Sequence, residues 1–487
     1  MAIALAACAD EDLRDAVALE LSRSLTPEES GPPFGAGTNA SADAVLLDWP
    51  NGERRAQLLA ISGGSTHSLG IEDWDVFDAS LSPSGRYAAL AARDPASQMP
   101  SALVVVRLDS GRVEGSLETP SPHAVAWSTA GEQLYLVEDR CAAYGNEGAC
   151  ESGWRHVLRT WDLETNRTGV LHDVPFWTHG LSVSPDGTSL YALGWRTELC
   201  CGIDVEGTPF LAAIDLASGL VRAEVSLPDL LLGQRIEELR HGEFGVWRQP
   251  ALALAPDGSK AYIAHAEDEG ITVVDLERLK VIRTSTPRFA SGLLDRLGGW
   301  VASMGASRAE AKGGLYFAPQ IIVSPDGSRL YVSGVGSETC AGQPYFACVE
   351  GVPMGLRIID ADSLELLLEI DGISRIALSP DGAVLAGTAV VADGRGVEEG
   401  APYHQLAAGL VLLRVDDLDA SPRVIRSGVP YDAVGFGLDG RVYAGAATAP
   451  SVGSRCLDGC SLLTVLDADG AVLADRTVHG VSTLVTR

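Results

Sequence analysis

From about residue 41 onward the chain reads as short apolar runs punctuated by polar turns, the pattern of strands rather than of long helices. One turn recurs. It stands as Ser82-Pro83-Ser84-Gly85, Ser128-Thr129-Ala130-Gly131, Ser184-Pro185-Asp186-Gly187 and Ala255-Pro256-Asp257-Gly258. It continues as Ser324-Pro325-Asp326-Gly327, Ser379-Pro380-Asp381-Gly382 and Gly437-Leu438-Asp439-Gly440. Proline presets the first turn position, and Asp-Gly accepts the positive φ that reverses a strand. An apolar run precedes each turn and another follows it, as in Ser328-Arg-Leu-Tyr-Val-Ser333. A second pattern comes next: a β-rich run closed by an acidic residue, as in Ile271-Thr-Val-Val-Asp275 and Leu356-Arg-Ile-Ile-Asp360, and then a further strand.

Each repeat is therefore expected to be a four-stranded antiparallel meander, with strands a to d. One such sheet cannot bury both of its faces, and radial repetition lets each sheet cover the next, which predicts an all-β propeller. The expected ring has seven or eight four-stranded blades. Seven turns are clear, but the c/d pattern occurs once more in Ala44–Asp48 and Ala56–Ile61, and an a-like strand once more in Gly480–Thr486. The strand count thus suggests eight, the last blade closed by both termini. The propeller spans 41–487.

These motifs resemble the YVTN-type, lactonase-like β-propeller family, in which Ser-Pro-Asp-Gly turns alternate with Val-x-Val-Ile-Asp strands. The resemblance covers roughly residues 41–487. It implies the fold and leaves the activity open, because that family mixes surface proteins, electron-transfer subunits and sugar-lactone hydrolases.

In such a ring the a–b and c–d turns share one face, and the b–c and d–a loops share the other. The inserted sequence falls on the second face. The b–c loops hold Cys141 and Cys150, Cys200 and Cys201, Cys340 and Cys348, and Cys456 and Cys460, together with the Gly-rich insertion Asp393–Tyr403. The longest d–a connections are Pro228–Gln249 and Thr286–Pro319, the second with helical spacing over Ser291–Met304. Scaffolds carry function on such loops.

Composition narrows the partners. Lys+Arg is 36 against Asp+Glu 65, a formal charge of −29, so phosphate backbones and anionic membrane surfaces are repelled, and no nucleic-acid partner is expected. Leu5-Ala6-Ala7-Cys8 resembles a bacterial lipobox, in which the cysteine is lipidated and becomes the new N-terminus. No basic residue precedes it and the apolar run is only Ala2–Ala7, so the signal is expected to start upstream. Residues 1–8 are then the signal remnant, and 9–40 a tether ending in Pro/Gly/Ser/Thr-rich sequence. The other eight cysteines form local pairs. That favours disulfides in an oxidising compartment over zinc, since no pair has the two-residue spacing of a knuckle. The expectation is an extracytoplasmic monomer, in the periplasm or at the cell surface, touching the membrane only through its lipid.

Candidate chemistry comes from aligning the repeats on the turn. Six residues before the proline position stand Phe77, His123, His179, Pro250, Pro319, Ser374, Asp432 and, by extension, His479. This phase is expected to line the channel mouth. His123 and His179 there could hold a divalent metal, and the cluster with Asp432 and His479 could do acid–base work. The plainer reading is polar residues hydrating the opening. Adjacent Cys200-Cys201 resemble the vicinal ring of eight-bladed quinoprotein dehydrogenases, and Ala213-Ile214-Asp215 to Gly219 resembles their blade motif, but the docking Trp is missing. Trp247 and Trp300, on inserted loops, are the candidate exposed aromatic contacts. Two functions remain. The first is a non-catalytic binder of a protein, glycan or small ligand on the loop face. The second is a lactonase-like hydrolase with a metal or histidine site at the channel mouth.

Overall fold

The structure, a computed structural model, describes residues 44–48, 57–62, 65–68, 75–93, 101–118 apart from 109 and 111, 125–141 and 154–196. It also describes 208–289 apart from 240, 241, 267 and 268, then 314–339, 349–392, 405–447 apart from 427, 428, 430, 438 and 439, and 460–485 apart from 480. Every regular element among them is a strand. The chain is a β-propeller of four-stranded blades, each a meander in chain order apart from the sheet the two ends share, and a blade is named below by the first residue of its a–b turn.

The Ser184 blade shows why these residues make strands. It runs Trp177–Val183, Ser189–Trp195, Phe210–Asp215 and Val221–Ser226, with every neighbour antiparallel. Its middle strands are buried almost end to end, while the outer one is mostly exposed, with Val221 and Val225 half-buried. Neighbouring blades cover both faces of the middle strands, so these read as continuous apolar runs. The cores lie between blades. Tyr135, Leu158 and Phe176 pack with Leu190, Ala212 and Ile214, which joins the Ser128 and Ser184 blades. Tyr191, Leu193 and Leu211 meet Ala261, Ile263 and Val274 of the Ala255 blade.

The recurring turn explains its own sequence. In the Ser184 turn, Gly187 N donates to Ser184 O at 2.8 Å, and Ser189 N donates to Ser184 Oγ at 2.9 Å. Ser184 Oγ in turn donates to Asp186 Oδ1 at 2.5 Å. The turns also touch one another around the ring. A Cβ placed on Gly258 would lie 3.4 Å from Pro185 Cδ, and one on Gly382 only 2.8 Å from Pro325 Cδ. The glycine of one blade thus fits against the proline of the preceding blade.

Among the described residues seven sheets are four-stranded blades and one sheet is larger, so the ring counts seven such blades rather than the eight that the strand count suggested. The exception is the Ser324 sheet. Its blade meander, Gly314–Val323, Arg329–Thr339, Leu356–Asp360 and Glu365–Ile370, sits inside an eight-stranded sheet. The hairpin Gly233–Leu239 and Gly242–Arg248 joins it through a parallel pairing, Trp247 with Tyr316 and Arg248 with Phe317. Val349–Pro353 pairs with the far end of Arg329–Thr339, and the two-residue strand Arg288–Phe289 pairs with Glu365–Ile370. The segment Pro228–Gln249, read from sequence as a connection, therefore contains a hairpin. The expected helix at 291–304 lies outside the described residues.

The two ends of the chain share a sheet, ordered Ser65–Ser68, Gln57–Ser62, Ala44–Asp48, Val481–Val485. Val45 faces Val485 and Leu46 faces Leu484. The N-terminal part supplies three strands, one more than its apolar pattern suggested. This sheet touches the Gly437 blade on one side and the Ser82 blade on the other. Residues 1–40, with Cys8 and the tether, lie outside the described residues.

Candidate functional site

Strand a carries a recurrent irregularity at the channel-mouth phase. The register against strand b slips between Val76 and Asp78, Thr178 and Gly180, Ile373 and Arg375, and Tyr431 and Ala433. The residues skipped by the register are Phe77, His179, Ser374 and Asp432, four of those singled out by the turn alignment. A bulge bends the strand and re-aims the side chain at the extra residue. His179 Nε2 lies 3.2 Å from Pro250 O, so this phase in one blade contacts the same phase in the next. Ser374 Oγ instead meets Thr388 Oγ1 at 2.8 Å.

Of the expected cluster only His179 has a described side chain. Three sheets stand between His179 and Asp432 in the ring. His479 ends the outer strand Val472–His479, paired with Cys460, rather than starting an inner one. His123 and the side chains of Asp432 and His479 lie outside the described residues. Among the described residues no group of three or more His, Cys, Asp or Glu could hold a metal ion.

The cysteines have a similar standing. Cys141 and Cys460 lie on described strand backbone, at the ends of Gln133–Cys141 and Cys460–Leu466. Their side chains, and Cys150, Cys200, Cys201, Cys340, Cys348 and Cys456, lie outside the described residues, as do Trp300 and the insertion 393–403. Trp247 is placed by its backbone, opposite Tyr316.

A site that the sequence reading missed lies between the Ser128 and Ser184 blades. A cleft of about 310 Å³ opens there, lined by Arg155, His156, Asp173, Phe176, Trp177 and Arg196 among others. All stand at the loop-face end of their strands. Arg155 and His156 begin Trp154–Asp162, Asp173 closes Arg167–Val174, Trp177 begins the next blade, and Arg196 follows Ser189–Trp195. The stems of two cysteine-bearing loops, 142–153 and 197–207, therefore flank the cleft.

Its floor is aromatic and braced. His156 is 7% exposed, and its ring lies 4.4 Å from that of Trp177 at 57°. Trp177 stacks on Trp195 at 6.3 Å and 13°, and Phe176 meets Phe210 edge-on at 4.9 Å. Its rim is charged but paired. Arg155 forms an ion pair with Asp173, with side chains 67% and 51% exposed. Arg196 Nη2 donates to both oxygens of Glu224 at 2.5 and 2.7 Å, and its guanidinium lies 4.5 Å over the Phe210 ring. The signal was present in Trp154-Arg155-His156 and Phe176-Trp177, but nothing local says that these segments face each other across two blades.

No family model matches the chain, and no curated protein matches it. Solved structures do. Dihydro-heme d1 dehydrogenase NirN, in complex with DHE, is 14% identical with a TM-score of 0.49, over 94% of this chain and 78% of that one. Hydrazine synthase of Kuenenia stuttgartiensis is 14% identical with a TM-score of 0.42, over 85% and 96%. The β-propeller domain of the Trilobed protease from Pyrococcus furiosus is 12% identical with a TM-score of 0.41, over 80% and 93%.

Proposed function

We propose that this chain is a lipid-anchored, extracytoplasmic β-propeller of the YVTN type that binds a ligand on its loop face. The observation that carries the binding role is the position of the cleft. Arg155, His156, Trp177 and Arg196 gather on the face that also receives every long insertion, while the opposite face carries short, self-bonded turns. Lipidation of Cys8 follows from its lipobox-like context, and export from the four local cysteine pairs.

The test is a thermal-shift screen of the full chain against peptides, saccharides and small organic ligands. A ligand that binds the native state raises the melting temperature. The reading requires a stabilising ligand whose effect is lost with Arg196→Ala or a shortened 393–403 loop and kept with Arg278→Ala on the turn face. Stabilisation indifferent to the loop-face changes overturns it. For the anchor, Cys8→Ser must move the protein from the membrane to the soluble fraction. For export, the unreduced, denatured protein must show no free thiols among its eight paired cysteines.

A second reading, a lactonase-like hydrolase, draws on the strand bulges at His179, Ser374 and Asp432. It requires a stoichiometric divalent ion in the purified protein and lactone turnover that His179→Ala abolishes.

A further inference from the structure

We infer that the cleft between the Ser128 and Ser184 blades is a subsite for a neutral saccharide, a refinement that rests on the loop-face binding role. Size comes first. About 310 Å³ is at the small end of ligand pockets, room for one or two sugar rings and too little for a folded partner to enter. The wall comes next. Trp177 lines the cleft, and its ring packs against those of His156 and Trp195, so its orientation is set before any ligand arrives. A fixed aromatic plane suits the C–H face of a pyranose, which is flat, apolar and rigid.

Charge selects against anions. Both rim guanidiniums already have carboxylate partners, Arg155 with Asp173 and Arg196 with Glu224. An anion would meet guanidiniums whose charge is already balanced by Asp173 and Glu224, on a chain of formal charge −29. A hydroxyl need displace neither. It donates to a carboxylate oxygen and accepts from a guanidinium N–H, and each paired Arg and carboxylate offers both at fixed positions. Two such pairs flanking one aromatic wall match a ring that carries equatorial hydroxyls and no net charge.

The experiment uses the full chain and isothermal titration with a defined panel. The panel contains the methyl pyranosides of glucose, galactose, mannose and N-acetylglucosamine, and their β- and α-linked disaccharides. Glucuronic acid and sulfated galactose serve as anionic counterparts. At least one neutral sugar must bind saturably and shift tryptophan emission. Arg155→Ala or Arg196→Ala must weaken it by about tenfold, the scale of one hydrogen bond to a charged group. Trp177→Phe, which keeps an aromatic ring in the packing, must weaken it measurably, and Val424→Ala on a distant outer strand must not. Absence of binding by every neutral sugar overturns the inference, as does binding that ignores Arg155 and Arg196, or preference for the anionic sugars that grows as salt is lowered. Should the sugars fail while a peptide or other ligand still depends on the loop face, the saccharide subsite is wrong and the binding role stands. If no ligand depends on that face, both are wrong.

Discussion

Gly382→Ala tests whether the glycine of one turn interlocks with the proline of the turn before it. Gly382 has φ +74°, a left-handed value, and alanine there costs about 1 kcal/mol in backbone strain alone. The added Cβ would also meet Pro325 Cδ at 2.8 Å and Cγ at 2.9 Å, atoms of a stiff ring that cannot swing aside. Overpacking of this kind costs about 1–3 kcal/mol, so the expected total is about 2–4 kcal/mol. Two internal controls separate the contributions. Gly440 has φ +77° with nothing within 4 Å of its would-be Cβ, and Gly258 has φ +72° with Pro185 Cδ at an ordinary 3.4 Å. Alanine at either should cost only the strain, about 1 kcal/mol. The assay is equilibrium urea unfolding followed by tryptophan fluorescence, compared at unchanged m-value. A double-mutant cycle with Pro325→Ala should return a coupling of about 1 kcal/mol or more, because removing the ring relieves the clash. Equal costs at all three glycines, or no coupling to Pro325, would refute the interlock.

Three further outcomes follow from the same structure. The Asp326 carboxyl is pulled down to about 2, first by the Ser324 hydroxyl and then by the Ser328 amide, and Asp186 and Asp381 are lowered first by Ser184 and Ser379. Folded values below the unfolded one of about 4 mean that this stability is present above about pH 4 and lost as pH falls through the folded values, about 2 for Asp326; melting curves between pH 6 and 2 should flatten in the triple Asn variant, and an unchanged slope counts against these turns as the acid-sensitive groups. Glu138 and Arg159 form an ion pair with side chains 7% and 11% exposed, so Glu138→Ala should cost about 3–5 kcal/mol in denaturant unfolding, and Glu138→Met with Arg159→Met should recover most of it. Deleting 44–61 removes two strands and leaves Val481–Val485 without its partner, so the product should aggregate or melt far below the full chain; a deletion as stable as the parent shows that closure does not need them.

Local chemistry alone determined the repeating unit. Proline, Asp-Gly and the flanking serine bond to atoms within five residues, so the turn reads directly from sequence, and a meander of buried strands follows from apolar runs between such turns. The phase of Phe77, His179, Ser374 and Asp432 was legible too, because it is counted from that turn; that each is a bulge was not, since a bulge is set by what the neighbouring strand requires. What the tertiary structure decided depends on pairs far apart in the chain. Trp247 meets Tyr316 in a parallel pairing that no local pattern announces, and three N-terminal strands find Val481–Val485 only when the ring closes. The cleft is of the same kind. Arg155, Asp173 and Arg196 are ordinary exposed residues one by one, and they become a site because burial of Leu158, Phe176 and Leu190 in one inter-blade core fixes how the two sheets face each other.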